Sequence, residues 1–284
     1  MKLIIQPEDG PAPVIKAIAK AKKTIDIVIF RFDRTDIEDA IHAAVARGVV
    51  VRALIAHTNT GGEKNLRRLE LRLLEAGATV ARTADDLTRY HGKLMIVDGT
   101  DLHVYGFNYT KLDIAKSRSF GIQTRDRRIV AEALKLFEAD ALRQAYTPSH
   151  RRLVVSPENS RALLTEFIKG AKQQLLIYDA QISDNAIQKV LQERAAAGVE
   201  IRVIGKLEKS LNGVKVRKLS DLRLHVRAII RDGREAFIGS QSLRRLELDG
   251  RREVGILIKN GSIVRRIQAV FDADWRKKSR KKAA

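Results

Sequence analysis

His91-Gly92-Lys93-Leu94-Met95-Ile96-Val97-Asp98 returns near the other end of the chain as His225-Val226-Arg227-Ala228-Ile229-Ile230-Arg231-Asp232. Each stretch reads as His, any residue, a basic residue, four more, then Asp. One such octet is a modest signal, because His, Lys or Arg, and Asp are all common. Here the surroundings repeat as well. Leu3, Pro7, Glu8, Gly48, Val49 and Arg52 recur 150 residues later as Leu153, Pro157, Glu158, Gly198, Val199 and Arg202. From the motif onward the offset is 134, so His91 pairs with His225, Asp98 with Asp232, and Gly121 with Gly255. The first half therefore carries 16 extra residues ahead of its motif. Two halves of one fold, joined face to face about a pseudo-twofold axis, would build one site with two histidines.

The pattern within each half alternates strand and helix. Leu3 to Gln6 and Leu153 to Ser156 are short apolar runs ending at a proline, followed by helices over about 12–22 and 160–171. The runs Thr24 to Phe30 and Gln174 to Tyr178 are almost wholly apolar and predict strands buried on both faces. Thr35 with Glu38 reads as a capping box opening a helix, with Ile37, Ile41, Ala44 and Val45 at helical spacing and Gly48 to end it. Its counterpart runs from Asp184 to Ala197, ahead of Gly198. Val49 to Ile55 and Val199 to Ile204 are again strands, and strand–helix–strand order argues for parallel pairing. The insertion predicts a helix near Glu63 to Ala76 after a Gly61-Gly62 loop. Strands over Ser119–Thr124 and Glu253–Lys259 and closing helices over about 127–145 and 261–275 complete the halves. Residues 146–152, with Pro148 and no apolar periodicity, read as the junction.

Composition narrows the partners. With 284 residues there is room for one large or two medium domains. The absence of cysteine excludes disulfides and thiolate metal ligands. A net charge of +20 points to a polyanion, either nucleic acid or an acidic membrane surface. The charge is spread widely, with a concentrated basic tail from Arg276 to the end. No stretch has the apolar length of a membrane span, and the first ten residues do not read as a signal peptide. The expectation is a cytoplasmic protein, peripheral at most on an anionic membrane. Aromatic residues make up 5% of the chain, so no platform for stacking bases is visible.

The motifs carry the chemistry. On a strand, alternation puts His91 and Lys93 on one face, and His225 and Arg227 likewise. Asp98-Gly99 and Asp232-Gly233 then read as turns. Unprotonated imidazole is a nucleophile near neutral pH. A protonated imidazole can donate to a leaving oxygen. Nearby cations can hold phosphoryl oxygens. These roles together suit phosphodiester transfer.

These residues resemble the two-motif members of the phospholipase D superfamily. The resemblance covers nearly the whole chain. It rests on the duplication, both H-x-K/R-x4-D motifs and the downstream G-S-x-N region, here Tyr105-Gly106-Phe107-Asn108 and Gly239-Ser240-Gln241-Ser242. It implies an α/β protein of two similar phospholipase D-like α/β/α domains with mixed, largely parallel sheets. The divisions would fall at 1–147 and 148–275, with a basic tail over 276–284. It implies a covalent phosphohistidine, His91 as nucleophile and His225 as acid and base, and no metal or other cofactor. Lys93, Arg227, Asn108 and Ser240 would hold phosphate oxygens, and Asp98 and Asp232 would support the structure. Glu253 matches the family's histidine-orienting Glu, whereas Ser119 stands at that place in the first half. Arg227 for Lys, Tyr105 and Gly106 for Gly and Ser, and Ser242 for Asn are further departures. Phospholipid head groups are the first substrate expected, by hydrolysis or transfer. A nuclease acting on DNA or RNA and a catalytically weakened polyanion-binding module are the alternatives. One chain holds both motifs, so a monomer suffices for one site.

Overall fold

The computed structural model describes residues 1–58 and 62–277. In the first half the order is β1 (Lys2–Gln6), α1 (Ala12–Ala19), β2 (Thr24–Ile29), α2 (Thr35–Ala46), β3 (Val50–Ile55), α3 (Gly62–Glu75), β4 (Thr79–Arg82), β5 (Arg89–Tyr90), β6 (Leu94–Val97), β7 (Asp101–Tyr105), α4 (Lys111–Lys116), β8 (Ser117–Thr124) and α5 (Arg127–Ala141). The second half follows with β9 (Leu153–Ser156), α6 (Ser160–Lys169), β10 (Gln174–Ile182), α7 (Asn185–Ala196), β11 (Glu200–Leu207), β12 (Val214–Arg217), β13 (Arg223–Leu224), β14 (Arg227–Arg231), β15 (Glu235–Gly239), α8 (Arg245–Asp249), β16 (Arg251–Ile258) and α9 (Gly261–Arg276). Arg276 thus ends a helix, and the tail from residue 278 lies outside the described residues, as does Gly61.

The first sheet runs β1-β8-β7-β6-β2-β3-β4, and the second runs β12-β11-β10-β14-β15-β16-β5 with β9 paired to β16. The sheets are mixed, as the sequence implies, but their parallel part is smaller than expected. Parallel pairing holds for β2-β3-β4 and β10-β11-β12, where a helix or loop crosses over. The motif strands pair antiparallel with both neighbours, β6 with β2 and β7, and β14 with β10 and β15. The cause is the Asp-Gly turn, which sends the chain straight back as a hairpin. Asp98 and Asp232 take φ of 51° and 52°, a left-handed conformation that Asp tolerates in such turns. Each carboxylate accepts three backbone N–H groups. Asp98 takes those of Lys22, Lys23 and Thr24, and Asp232 those of Lys172, Gln173 and Gln174.

One expected feature is absent. Thr35 opens α2 but makes no capping bond, since Arg34 holds the cap position. The Arg34 guanidinium instead pairs with Asp36, and Glu38 turns outward to Arg72 of α3. The second half does have a side-chain cap, with Asp184 accepting from the Ile187 N–H at 3.0 Å.

Among the described residues, three large apolar clusters hold the layers. One lies between the first sheet and α1, α2 and α3, and one between the second sheet and α6, α7 and α8. The third lies between the halves. It takes Leu94, Ile96, Phe120 and Ile122 from one sheet, Ala228, Ile230, Val254 and Ile256 from the other, and the apolar faces of α5 and α9. The halves therefore share a core and bury it only by meeting.

Two short strands change sides. β5, just ahead of the first motif, pairs in parallel with β16 of the second sheet. β13, just ahead of the second motif, pairs in parallel with β8 of the first. The residue after each exchanged strand is the motif histidine.

Candidate active site

His91 and His225 are held by backbone bonds from the opposite half. The Arg252 carbonyl accepts the His91 and Gly92 N–H groups at 2.7 and 3.0 Å, and the Arg118 carbonyl accepts the His225 N–H at 3.2 Å. Arg118 and Arg252 are themselves matched by the 134-residue offset, and their guanidiniums are buried in matched ion pairs. Arg118 binds Asp274 of α9 at 2.8 Å, Glu8 at 2.6 Å and the Gln6 carbonyl at 2.9 Å. Arg252 binds Asp140 of α5 at 3.1 Å, Glu158, and the Ser156 carbonyl at 3.0 Å. A buried ion pair adds little net stability but fixes register, because breaking it strands a charge. Here the fixed register is that of the two carbonyls carrying the histidines.

Both histidines open onto one cleft of about 310 Å³, with Phe30, Arg31, Asn108, Asp113, Arg223 and Arg227 among its walls. Their side chains are 15% and 12% exposed, enough for a small group to reach them. Glu253 lies fully buried and accepts from His91 Nδ1 at 2.9 Å, which leaves the ring's lone pair on Nε2. Phe30 packs edge-on against the His91 ring, with centroids 4.7 Å apart. Lys93 is buried beneath, donating to the His91 carbonyl at 2.7 Å, with Nζ 3.2 Å from His91 Nε2. Arg227 donates to the His225 carbonyl at 3.1 Å and to Ser242 Oγ at 3.2 Å. Ser242 in turn donates to Asp179, a buried carboxylate that offsets the Arg227 charge.

The two sides are not equal. Ser119, at the position matching Glu253, is buried with Oγ unpaired. The carboxylate nearest His225 comes instead from α4, with Asp113 Oδ2 3.5 Å from His225 Nδ1. Asp113 also accepts from the Asn108 N–H and side-chain amide at 2.9 and 2.8 Å, and from Arg223 at 3.0 Å. Asn108 is thus held by both amide atoms, its Oδ1 accepting the Arg31 N–H at 3.1 Å. Ser240, expected on the phosphate, uses its hydroxyl on the Val254 backbone, at 3.1 Å to N and 3.3 Å to O. It lies against the sheet beside Glu253 rather than in the cleft wall. Asp98 and Asp232 sit in their hairpin turns, on backbone donors outside the cleft.

Electrostatics follow from burial among cations. Burial, helped by Lys93 and Arg227, brings His91 down to about 4, against the pull of Glu253. Burial and the Arg227, Lys93 and Arg223 charges put His225 well below the usual histidine range. Burial, with Arg227 and Arg31, lowers Lys93 to about 8. Burial opposes charge on Glu253, but His91 and Lys93 outweigh it and hold it ionised. The cleft is therefore cationic with neutral imidazoles, a setting that favours an incoming anion. Among the described residues no group of three or more His, Cys, Asp or Glu is placed to hold a metal ion.

Sequence reasoning missed Asp113, Arg223, Arg118 and Arg89, the last of which also lines the cleft. The signal was present in the repeat. The same offset matches Arg89 with Arg223, Asp113 with Glu247, and Arg118 with Arg252.

Comparison with known proteins gives a consistent set of relatives. A family model described as "Cardiolipin synthase, PLD-like domain" matches residues 14–141 and again 164–275. Among solved structures, polyphosphate kinase from Porphyromonas gingivalis is similar over 100% of this chain, with a TM-score of 0.78 and 18% identity. This chain spans 52% of that one, about half its length. Phosphatidylserine synthase from Haemophilus influenzae is similar over 97% of this chain and 86% of its own, with a TM-score of 0.73 and 11% identity. The phospholipase D family member Nuc from Salmonella typhimurium matches 52% of this chain and 99% of its own at 22% identity, with a TM-score of 0.45. No sequence match was found among curated proteins.

Proposed function

The chain belongs to the phospholipase D superfamily, and on that premise we propose that it cleaves or exchanges a phosphodiester bond in two steps at the cleft between its halves. His91 Nε2 attacks phosphorus, and the bond from phosphorus to the leaving oxygen breaks. His225 gives that oxygen its proton. Water or an alcohol then loses a proton to His225 and attacks phosphorus, and the P–N bond breaks back onto His91. The observation that carries this reading is the His91–Glu253 contact across the two halves. It fixes Nδ1 on a buried carboxylate and leaves the lone pair on Nε2, which Lys93 Nζ, 3.2 Å away, releases for the attack.

Lys93 and Arg227 supply the charge that the phosphoryl oxygens need, so the steps call for no metal. Bound substrate offsets these cations, which raises His225 toward protonation. Asn108 holds a phosphoryl oxygen. Asp113 takes the place of the missing partner for His225, as a positioning residue. Ser240 serves through Glu253.

The test uses the full chain and a small activated diester, bis(p-nitrophenyl) phosphate, in EDTA. Nitrophenol release is expected from the wild type and its loss, by at least ~10³-fold, from His91→Ala. Unchanged turnover in His91→Ala contradicts the assignment. Lipid head-group exchange is the first expectation from the sequence, and strand cleavage of nucleic acid is the alternative for the same two steps.

A further inference from the structure

The cleft continues beyond Phe30. A second cavity of about 470 Å³ adjoins it, and the two share Phe30, Arg31, Asp33 and Thr110 as lining. The far wall is α3. It presents Asn65, Arg68, Leu69 and Arg72, spaced as one face of a helix. This helix fills the 16-residue insertion, and the second half has only a loop between β11 and β12 at the matching place. The cleft is thus extended on one side and not on the other.

The annex is cationic where it matters. Arg31, Arg68 and Arg72 line it, against one lining carboxylate, Asp33, whose Oδ1 is already occupied by the Lys111 N–H at 2.8 Å. Arg72 reaches Glu38 at 3.3 Å, whereas Arg68 is exposed and makes no ion pair among the described residues. The apolar lining, Phe30, Phe32 and Leu69, is buried, with 3%, 8% and 6% exposure. Little of it is offered to an acyl chain or a base.

We infer that the annex holds the next phosphate of a single nucleic-acid strand whose scissile diester lies between His91 and His225. This rests on the cleft being the diester site. A strand carries further phosphates on both sides of any bond, so an anion site next to the cleft is matched by its own repeat. A phospholipid with one diester, such as phosphatidylglycerol, offers no second phosphate there, and its two acyl chains would meet guanidiniums. With no exposed aromatic surface, the annex tracks backbone charge and leaves sequence unread.

The experiment compares wild type with Arg68→Gln on three probes: a single-stranded oligothymidylate, bis(p-nitrophenyl) phosphate, and phosphatidylglycerol vesicles. Arg68→Gln should lower kcat/KM on the oligomer about 10-fold. It should also make the salt slope of oligomer binding shallower by about 0.7, one phosphate contact. Turnover of the small diester should stay the same. Equal loss on oligomer and small diester, or an unchanged salt slope, overturns the annex. Vesicle turnover impaired by Arg68→Gln, with no oligomer binding, overturns it in favour of lipid. If the wild type leaves the small diester intact, the catalytic reading fails, and the salt slope alone still decides the annex.

Discussion

Glu253 and Ser119 stand at matched positions of the repeat, and the difference between them sets what each histidine can do. His91 has a carboxylate at hydrogen-bond distance, whereas His225 has Asp113 at 3.5 Å, just beyond it. In Asp113→Asn the anion that favours protonated His225 is gone. We expect kcat to fall roughly 10- to 100-fold, below the ~10²- to 10⁴-fold worth of a general acid itself. The pH optimum should also move lower, since losing a nearby anion lowers the His225 pKa further. A rate loss with an unmoved profile would make Asp113 merely structural. The same charges predict the wild-type profile. The reacting state needs His91 free of its proton and His225 carrying one, and both are depressed below the ordinary 6.5. On the small diester, kcat/KM should be highest on the acid side of that value and decline as pH rises past it. A further loss follows near 8, where Lys93 gives up its charge. A profile peaking above pH 8 contradicts this assignment of roles.

At the scale of elements, the exchanged strands make the site. β5 and β13 carry each motif histidine onto the other half's sheet, and Arg252 and Arg118 lock the strands that receive them. Arg252→Ala leaves Asp140 buried without its partner and loosens the carbonyl holding His91. Urea unfolding should show a loss of about 3–5 kcal/mol, with kcat reduced in the fraction that remains folded. A change under ~1 kcal/mol would show that the ion pairs do not hold the register. This exchange could not be read from the sequence, because β5 and β13 are two residues each and have no periodicity of their own. The long strands, the hairpin turns after each motif and the inserted helix α3 were all legible, since apolar runs and Asp-Gly signals are local. Parallel pairing was overestimated because strand–helix–strand order says nothing of the hairpin strands between. The Thr35 cap failed because Arg34 competes for the first turn through Asp36.

For the whole molecule, duplication supplies two copies of each part and divergence has kept them unevenly. The Asn is kept in the first half and the Glu in the second, while α3 extends the cleft on one side. The pseudo-twofold axis, and with it the meeting of His91 and His225, was legible in the repeat, because matched residues must occupy matched places. Asp113 was less legible. Its partner in the repeat is Glu247, which serves Arg244 and Arg251 instead of a histidine, so a shared position did not mean a shared contact. In the proposed reaction phosphorus passes through His91. His225→Ala keeps the nucleophile but lacks the group that activates water. During turnover of bis(p-nitrophenyl) phosphate, quenched in alkaline denaturant, mass spectrometry of its peptides should find a nitrophenylphosphoryl group accumulating on His91. Wild type should show the same group at lower occupancy. A wild-type adduct on His225, or steady turnover with no adduct on either histidine, would contradict it.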